Sequence, residues 1–172
     1  MKKFFIVLTV FAMTMIATSA MAQAKIAIID MERCVMTSDA GKKASEDMRA
    51  YEVTLNEKIQ PLRDEYTKLE NDYRAQEKVL ADAAKQTKIE ALQKKAVEVE
   101  TAMRTATADA QKKNDELLSS VFKDLNGVIA TVAKASKCDA VFHKQMLAYG
   151  PDVTDITDDV IAAYNKQFNA KK

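Results

Sequence analysis

The sequence runs to 172 residues, with 26 basic and 25 acidic side chains, three Gly, two Pro and no Trp. So even a balance lacks the basic surplus with which a nucleic-acid-binding domain neutralises phosphates, and that class is set aside. Gly and Pro punctuate loops, so their scarcity predicts few loops and long elements; the Ala, Glu, Lys and Gln of the middle are helix formers.

Met1 to Lys3 is basic, Phe4 to Ala17 is almost wholly apolar, and small residues stand at Ala20 and Ala22. That order predicts a cleaved export signal over residues 1–22, cut after Ala22, because a bilayer span needs about 20 apolar residues. Gln23 rather than Cys follows the cut, which argues against a lipid-modified N-terminus. Without Lys2 and Lys3, residues 23–172 carry 24 basic against 25 acidic groups and are read as one domain.

Lys25 to Ile29 reads as a short buried strand. Asp30 can cap a brief helix over Met31 to Met36, and Thr37, Ser38 or Asp39 the longer helix that follows. That helix, about 38 to 80, carries a seam at Ala44, Met48, Tyr51, Leu55, Ile59, Leu62, Tyr66, Leu69, Tyr73, Gln76 and Leu80. The steps are threes and fours with one stutter at Leu55–Ile59, and Pro61 predicts a kink over 57–61. Asp82 is the expected cap of a second helix, about 83 to 136, with its own seam from Ile89 to Ala135. The pair reads as an antiparallel hairpin with helices roughly 65 and 80 Å long. The seam is thin between Ala96 and Ala110, where it is mostly Ala.

After Lys137, Ala140–His143 and Met146–Tyr149 read as two further strands. Thr157 is the expected cap of a last helix, with Val160, Ile161, Tyr164 and Phe168 on its apolar side. The fold class is therefore mainly α with a small β-sheet: a helical arm over about 38–124, and a body from 23–37 and about 125–172. Three short strands and a two-helix arm bury too little apolar surface alone, which predicts a homo-oligomer joined through Ile26, Ile28, Val141, Phe142 and Leu147. The second helix exceeds the first by about ten residues, near the length of a short strand. The returning helix should therefore pass the arm root, making strands one and two parallel and setting Cys34 and Cys138 too far apart to bridge.

Catalytic chemistry has no footing. His143 is the single histidine, Gly stands only at 41, 127 and 150, and the paired carboxylates lie on the arm, where they read as solvated faces. No metal, no cofactor and no enzymatic activity are expected.

The export signal, Lys25-Ile26-Ala27-Ile28-Ile29-Asp30-Met31, the long charged helices, Cys138-Asp139-Ala140-Val141-Phe142 and Asp152-Val153-Thr154-Asp155-Ile156-Thr157-Asp158-Asp159-Val160 together resemble the Skp/OmpH family. The last of these stretches is the most specific. The resemblance implies a periplasmic homotrimer with three helical tentacles around a cavity. It implies an ATP-independent holdase that keeps unfolded outer-membrane proteins from aggregating. It departs from the family in charge, since members are often strongly basic, and no residue of a lipopolysaccharide site can be carried across.

Two surfaces are singled out on the arm. Met48, Tyr51, Tyr66, Tyr73 and Met103 form its apolar side, whose thin packing would leave adaptable contacts for varied clients. Arg74, Lys78, Lys85, Lys88, Lys94 and Lys95 outnumber the acidic residues toward its end, which suits anionic lipid or acidic client segments. The rival reading is a structural coiled-coil spacer of the envelope, but a spacer needs a regular heptad, without Pro61 and the stutter.

Overall fold

The computed structural model of the protein describes residues 24–171; the predicted export signal lies outside them. The elements are β1 (Ile26–Ile29), α1 (Met31–Thr37), α2 (Asp39–Gln76), α3 (Asp82–Ala135), β2 (Ala140–His143), β3 (Thr154–Asp155) and α4 (Thr157–Ala170). Two of the predicted caps are made. The Asp30 carboxylate accepts the Arg33 N–H at 2.9 Å, and the Ser38 hydroxyl accepts the Gly41 N–H at 3.2 Å. Each satisfies a backbone donor that the first helical turn leaves unpaired.

The sheet has the order β2-β1-β3, and both pairings are parallel. Successive residues of β1 point to opposite faces. Ala27 and Ile29 are buried, while Ile26 and Ile28 lie half-buried on the other face. The inward face meets Leu125 and Val128 of α3 and Ile156, Val160 and Tyr164 of the C-terminal segment. Ile161 and Phe168 pack partly against the same core, as the predicted apolar side of the last helix requires.

Because β1 and β2 run parallel, the cysteines sit at opposite ends of the sheet. Cys138 adjoins the start of β1, where the Asp139 N–H donates to the Lys25 carbonyl at 2.8 Å; Cys34 lies one turn past its end, donating its N–H to the Asp30 carbonyl at 3.0 Å. Both thiols are free. Burial, and then the carboxylate of Asp30, push the Cys34 thiol up to about 11, so it behaves as an inert core residue.

Several expectations are corrected. Met146–Tyr149 is not a strand. Lys144–Met146 forms a 3-10 turn, Met146 and Tyr149 are 73% and 82% exposed, and the free edge of β1 is taken instead by Thr154–Asp155. Leu147 therefore sits in the connection, not in the sheet. The first long helix stops at Gln76 rather than near 80, so Leu80 belongs to the turn at the arm tip. Asp82 does not cap α3. Ala81 holds the extended capping position without a side-chain bond, and Asp82 is the first helical residue, where its charge suits the helix dipole.

Nor does Thr157 cap the last helix. Its N–H donates to the Asp155 carboxylate at 2.9 Å and its hydroxyl donates to the same oxygen. That hydroxyl also accepts the Asp30 N–H at 3.0 Å. Thr157 is thus a fully buried relay between β1, β3 and α4. Burial raises the Asp155 carboxyl, but the two bonds from Thr157 and the nearby Lys144 outweigh it and hold it below the ordinary value. A depressed folded value gives stability that is present above the unfolded value, about 3.9, and is lost as pH falls through the folded one. Thr157→Val keeps the shape and removes the relay, leaving the Asp30 N–H and the Asp155 carboxylate short of a partner. A loss of about 1–3 kcal/mol is expected in urea unfolding, larger at neutral pH than at pH 3.

Candidate functional site

The arm is built by α2 and α3, about 57 and 81 Å long at the usual rise. The α2 seam falls where the sequence predicts as far as Tyr73; Gln76 is exposed and Leu80 lies beyond the helix. Leu55 and Ile59, the two sides of the stutter, are buried, and Ala44, Met48, Tyr51, Leu62, Tyr66, Leu69 and Tyr73 are half-buried. On α3 the seam is fully buried only at the root, from Val121 to Val132. Farther out it thins to Ile89, Leu92, Ala96 and Val99, all partly exposed, and Met103 is 43% exposed. α2 runs unbroken through Pro61, whose ring is exposed.

Two clefts open between the helices. A root cleft of about 440 Å³ is floored by Val35, Ala44, Met48 and Leu117. A mid-arm cleft of about 230 Å³ is floored by Leu55, Ile59, Met103, Ala106 and Ala110. Of the predicted apolar contacts, Met48 and Met103 line these clefts. Tyr51 instead lies under the Lys113 ammonium, 6.0 Å from its ring centre, and Tyr66 and Tyr73 are half-buried farther out. The rim residues Arg49, Glu52 and Arg63 are absent from the predicted set. Their signal is a helical position about 60–130° round from the middle of the seam, on its flank, which a seam-only reading discards.

The basic residues toward the tip divide. Arg74 pairs with Glu70 at 2.6 Å, and Lys85 lies 4.0 Å from Asp82. Lys95 is not a free tip cation: it bridges Glu65 across the hairpin and Glu98 along α3, both at 2.7 Å. The hydrogen bonds it donates to Glu65 and Glu98 hold its ammonium above the ordinary value. Lys78, Lys88 and Lys94 have no ion pair among the described residues, and beside Lys78 the tip residue Val79 is 84% exposed.

In the body, parallel pairing puts Ile26 with Ala140 and Ile28 with Phe142. These side chains share the outward face of the sheet, where Phe142 is 43% exposed. Val141 turns the other way and packs against the core. The predicted body residues therefore separate into an outward set, Ile26, Ile28 and Phe142, an inward Val141, and Leu147 in the connection. Among the described residues, no group of His, Cys, Asp and Glu is placed to hold a metal, and no helix is long and apolar enough to cross a membrane.

A thinly sealed antiparallel hairpin on a small parallel sheet places the protein in the class of long-armed coiled-coil proteins. Residues 25–164 match the family described as outer membrane protein (OmpH-like), and the chain belongs to that family. It is similar to the Skp-like protein of Chlamydia pneumoniae, 23% identical over 171 residues that make up 98% of each chain. Its fold is similar to the crystal structure of an OmpH-like outer membrane chaperone candidate from Caulobacter crescentus CB15. The TM-score is 0.73 over 84% of this chain and 85% of that one, at 23% identity.

Proposed function

We propose that this protein is an ATP-independent holdase chaperone of the periplasm, which binds unfolded outer-membrane proteins between its arms and keeps them from aggregating. The observation that carries the reading is the incompletely closed seam of the arm. Leu55 and Ile59 are buried, but Met48, Tyr51, Tyr66, Tyr73 and Met103 stay partly exposed along the arm, where a spacer would bury them and an enzyme would gather them into one shaped pocket. Many weak contacts along such a surface suit clients that share no sequence, and the thioethers adapt to them. Membership of the OmpH-like family supports the same reading.

The test is to dilute a urea-unfolded outer-membrane β-barrel into buffer and follow light scattering. Suppression at stoichiometric protein without ATP is expected, and unchanged scattering would leave the spacer reading standing. Met103→Ser should weaken the suppression severalfold while shifting the melting temperature little, since the side chain is already 43% exposed. A large thermal shift with full suppression would make Met103 a packing residue only.

Two further parts belong to this proposal. The outward sheet face, with Ile26, Ile28 and Phe142, is where copies of the chain would join as a homotrimer. The arm tip, with Lys78, Lys88 and Lys94 beside exposed Val79, would approach anionic membrane surfaces. Each basic residue there contributes about 1 kcal/mol, screened by salt. Flotation with phosphatidylglycerol vesicles should therefore be strong at 20 mM salt and several-fold weaker at 150 mM. Binding indifferent to salt would remove the tip from the account.

A further inference from the structure

Building on the holdase reading, we infer that each arm takes its client along one face only. The geometry points to a furrow on the side of the hairpin away from the Lys95–Glu65 ion pair. Its occupant is extended polypeptide with alternating apolar side chains and acidic side chains beside them.

The two faces of the hairpin differ in kind. At 3.6 residues per turn, Tyr51 and Glu65 point within about 40° of each other on α2, whereas Arg49, Glu52, Asn56 and Arg63 lie about 100–160° round from Tyr51. On α3, Lys95 and Lys113 fall on nearly one line, and Met103, Thr107 and Asn114 lie about 80–120° from it. The first face is laced across the helices by Tyr51 with Lys113 and by Glu65 with Lys95. Both clefts open on the second face, and they share Glu52.

The spacing of the clefts defines what could lie in them. Their α2 residues centre about ten residues apart, or about 16 Å, which is near five residues of extended chain. Side chains on one side of an extended chain recur at even intervals, so apolar residues four or six apart would fill both clefts from one strand. The strands of membrane β-barrels alternate in this way. Asn56, Thr107 and Asn114 at the rim can hydrogen-bond the backbone of such a segment.

Charge specifies the flanks. Elsewhere on the arm Lys43 pairs with Asp47, Arg74 with Glu70 and Arg104 with Glu100. Arg49 and Arg63, on the furrow, have no ion pair among the described residues. They stand about 21 Å apart along α2 and offer guanidinium forks to carboxylates, so the furrow favours apolar segments bracketed by Asp or Glu.

The test places a photoreactive benzoylphenylalanine at Ser45 or Thr107, on the furrow, and at Lys58 or Asp109, on the laced face, in the otherwise intact protein. The probe is a urea-unfolded eight-stranded outer-membrane barrel, diluted and irradiated. At least fivefold more client label from the furrow positions is expected. Equal label from both faces, or label joining two copies of the arm instead of the client, overturns the furrow. If the barrel still stays soluble in that case, the holdase reading stands without it; loss of solubility would sink both. In the second arm, Arg49→Glu combined with Arg63→Glu should weaken a twelve-residue Leu/Ser-alternating peptide with Glu ends about tenfold. The same peptide with Gln ends should change less than twofold, and equal losses for the two peptides would overturn the charge preference.

Discussion

Aspartate in place of Ile28 should yield chains that neither associate nor fold. Ile28 lies on the outward face of the central strand, beside Phe142 on β2 and Asp155 on β3. A carboxylate there would stand opposite that of Asp155, and like charges across a sheet repel. In an assembled body it would also be buried without a partner, a cost of about 3–5 kcal/mol against a total stability of about 5–15 kcal/mol. Sedimentation velocity and far-ultraviolet circular dichroism together read the outcome. Slow-sedimenting chains with reduced helix content are expected, whereas a well-folded monomer would show that the body stands without its copies and would remove the homotrimer.

The second large effect is expected at Gly41. This residue opens α2 where α1 turns back over it, and a Cβ there would meet the Val35 carbonyl oxygen at 1.6 Å. The obstacle is backbone, so no rotamer relieves it, and α1 must lift away from the root of the arm. Gly41→Ala should cost about 3 kcal/mol, at the upper end for overpacking, and lower the melting temperature by roughly 6–12 °C. Gly127→Ala is the internal control. It lies inside α3 with nothing within 4 Å of its would-be Cβ, so alanine should stabilise by about 0.5–1 kcal/mol through helix propensity. Thermal melts of the two variants should therefore move in opposite directions; a shared direction would count against the contact at Val35.

The arm is the part of this fold that sequence reveals best, because its information is local and repeated. A residue every three or four positions from Ala44 to Tyr73 marks one side of α2, and Asp30 and Ser38 carry capping oxygens immediately before helical runs. Strand β3 is illegible for the opposite reason. Thr154–Asp155 has two residues and no apolar alternation, and it is a strand only because Ala27 and Ile28 lie beside it. Met146–Tyr149 has the better composition and no such partner. Thr157 looks like a cap by residue type, but its hydroxyl is drawn to Asp155 and to the Asp30 N–H, a donor 127 positions away. The two faces of the arm depend likewise on pairs such as Lys95 and Glu65, set 30 residues apart, which helix periodicity can align but cannot pair.

The placement of β1 sets an order of events during synthesis. It is the first described element of the chain and the centre strand of the sheet, with both neighbours drawn from the last three dozen residues. A chain made from its N-terminus can wind its helices early, since those contacts are local. Its opening strand has nothing to pair with until Ala140–His143 and Thr154–Asp155 arrive. Closing a loop of more than a hundred residues is then the step that completes the body, and an entropic barrier guards it. A nascent chain that stops short of Ala140 would thus carry wound arm helices on an unfinished base, with its opening strand still unpaired.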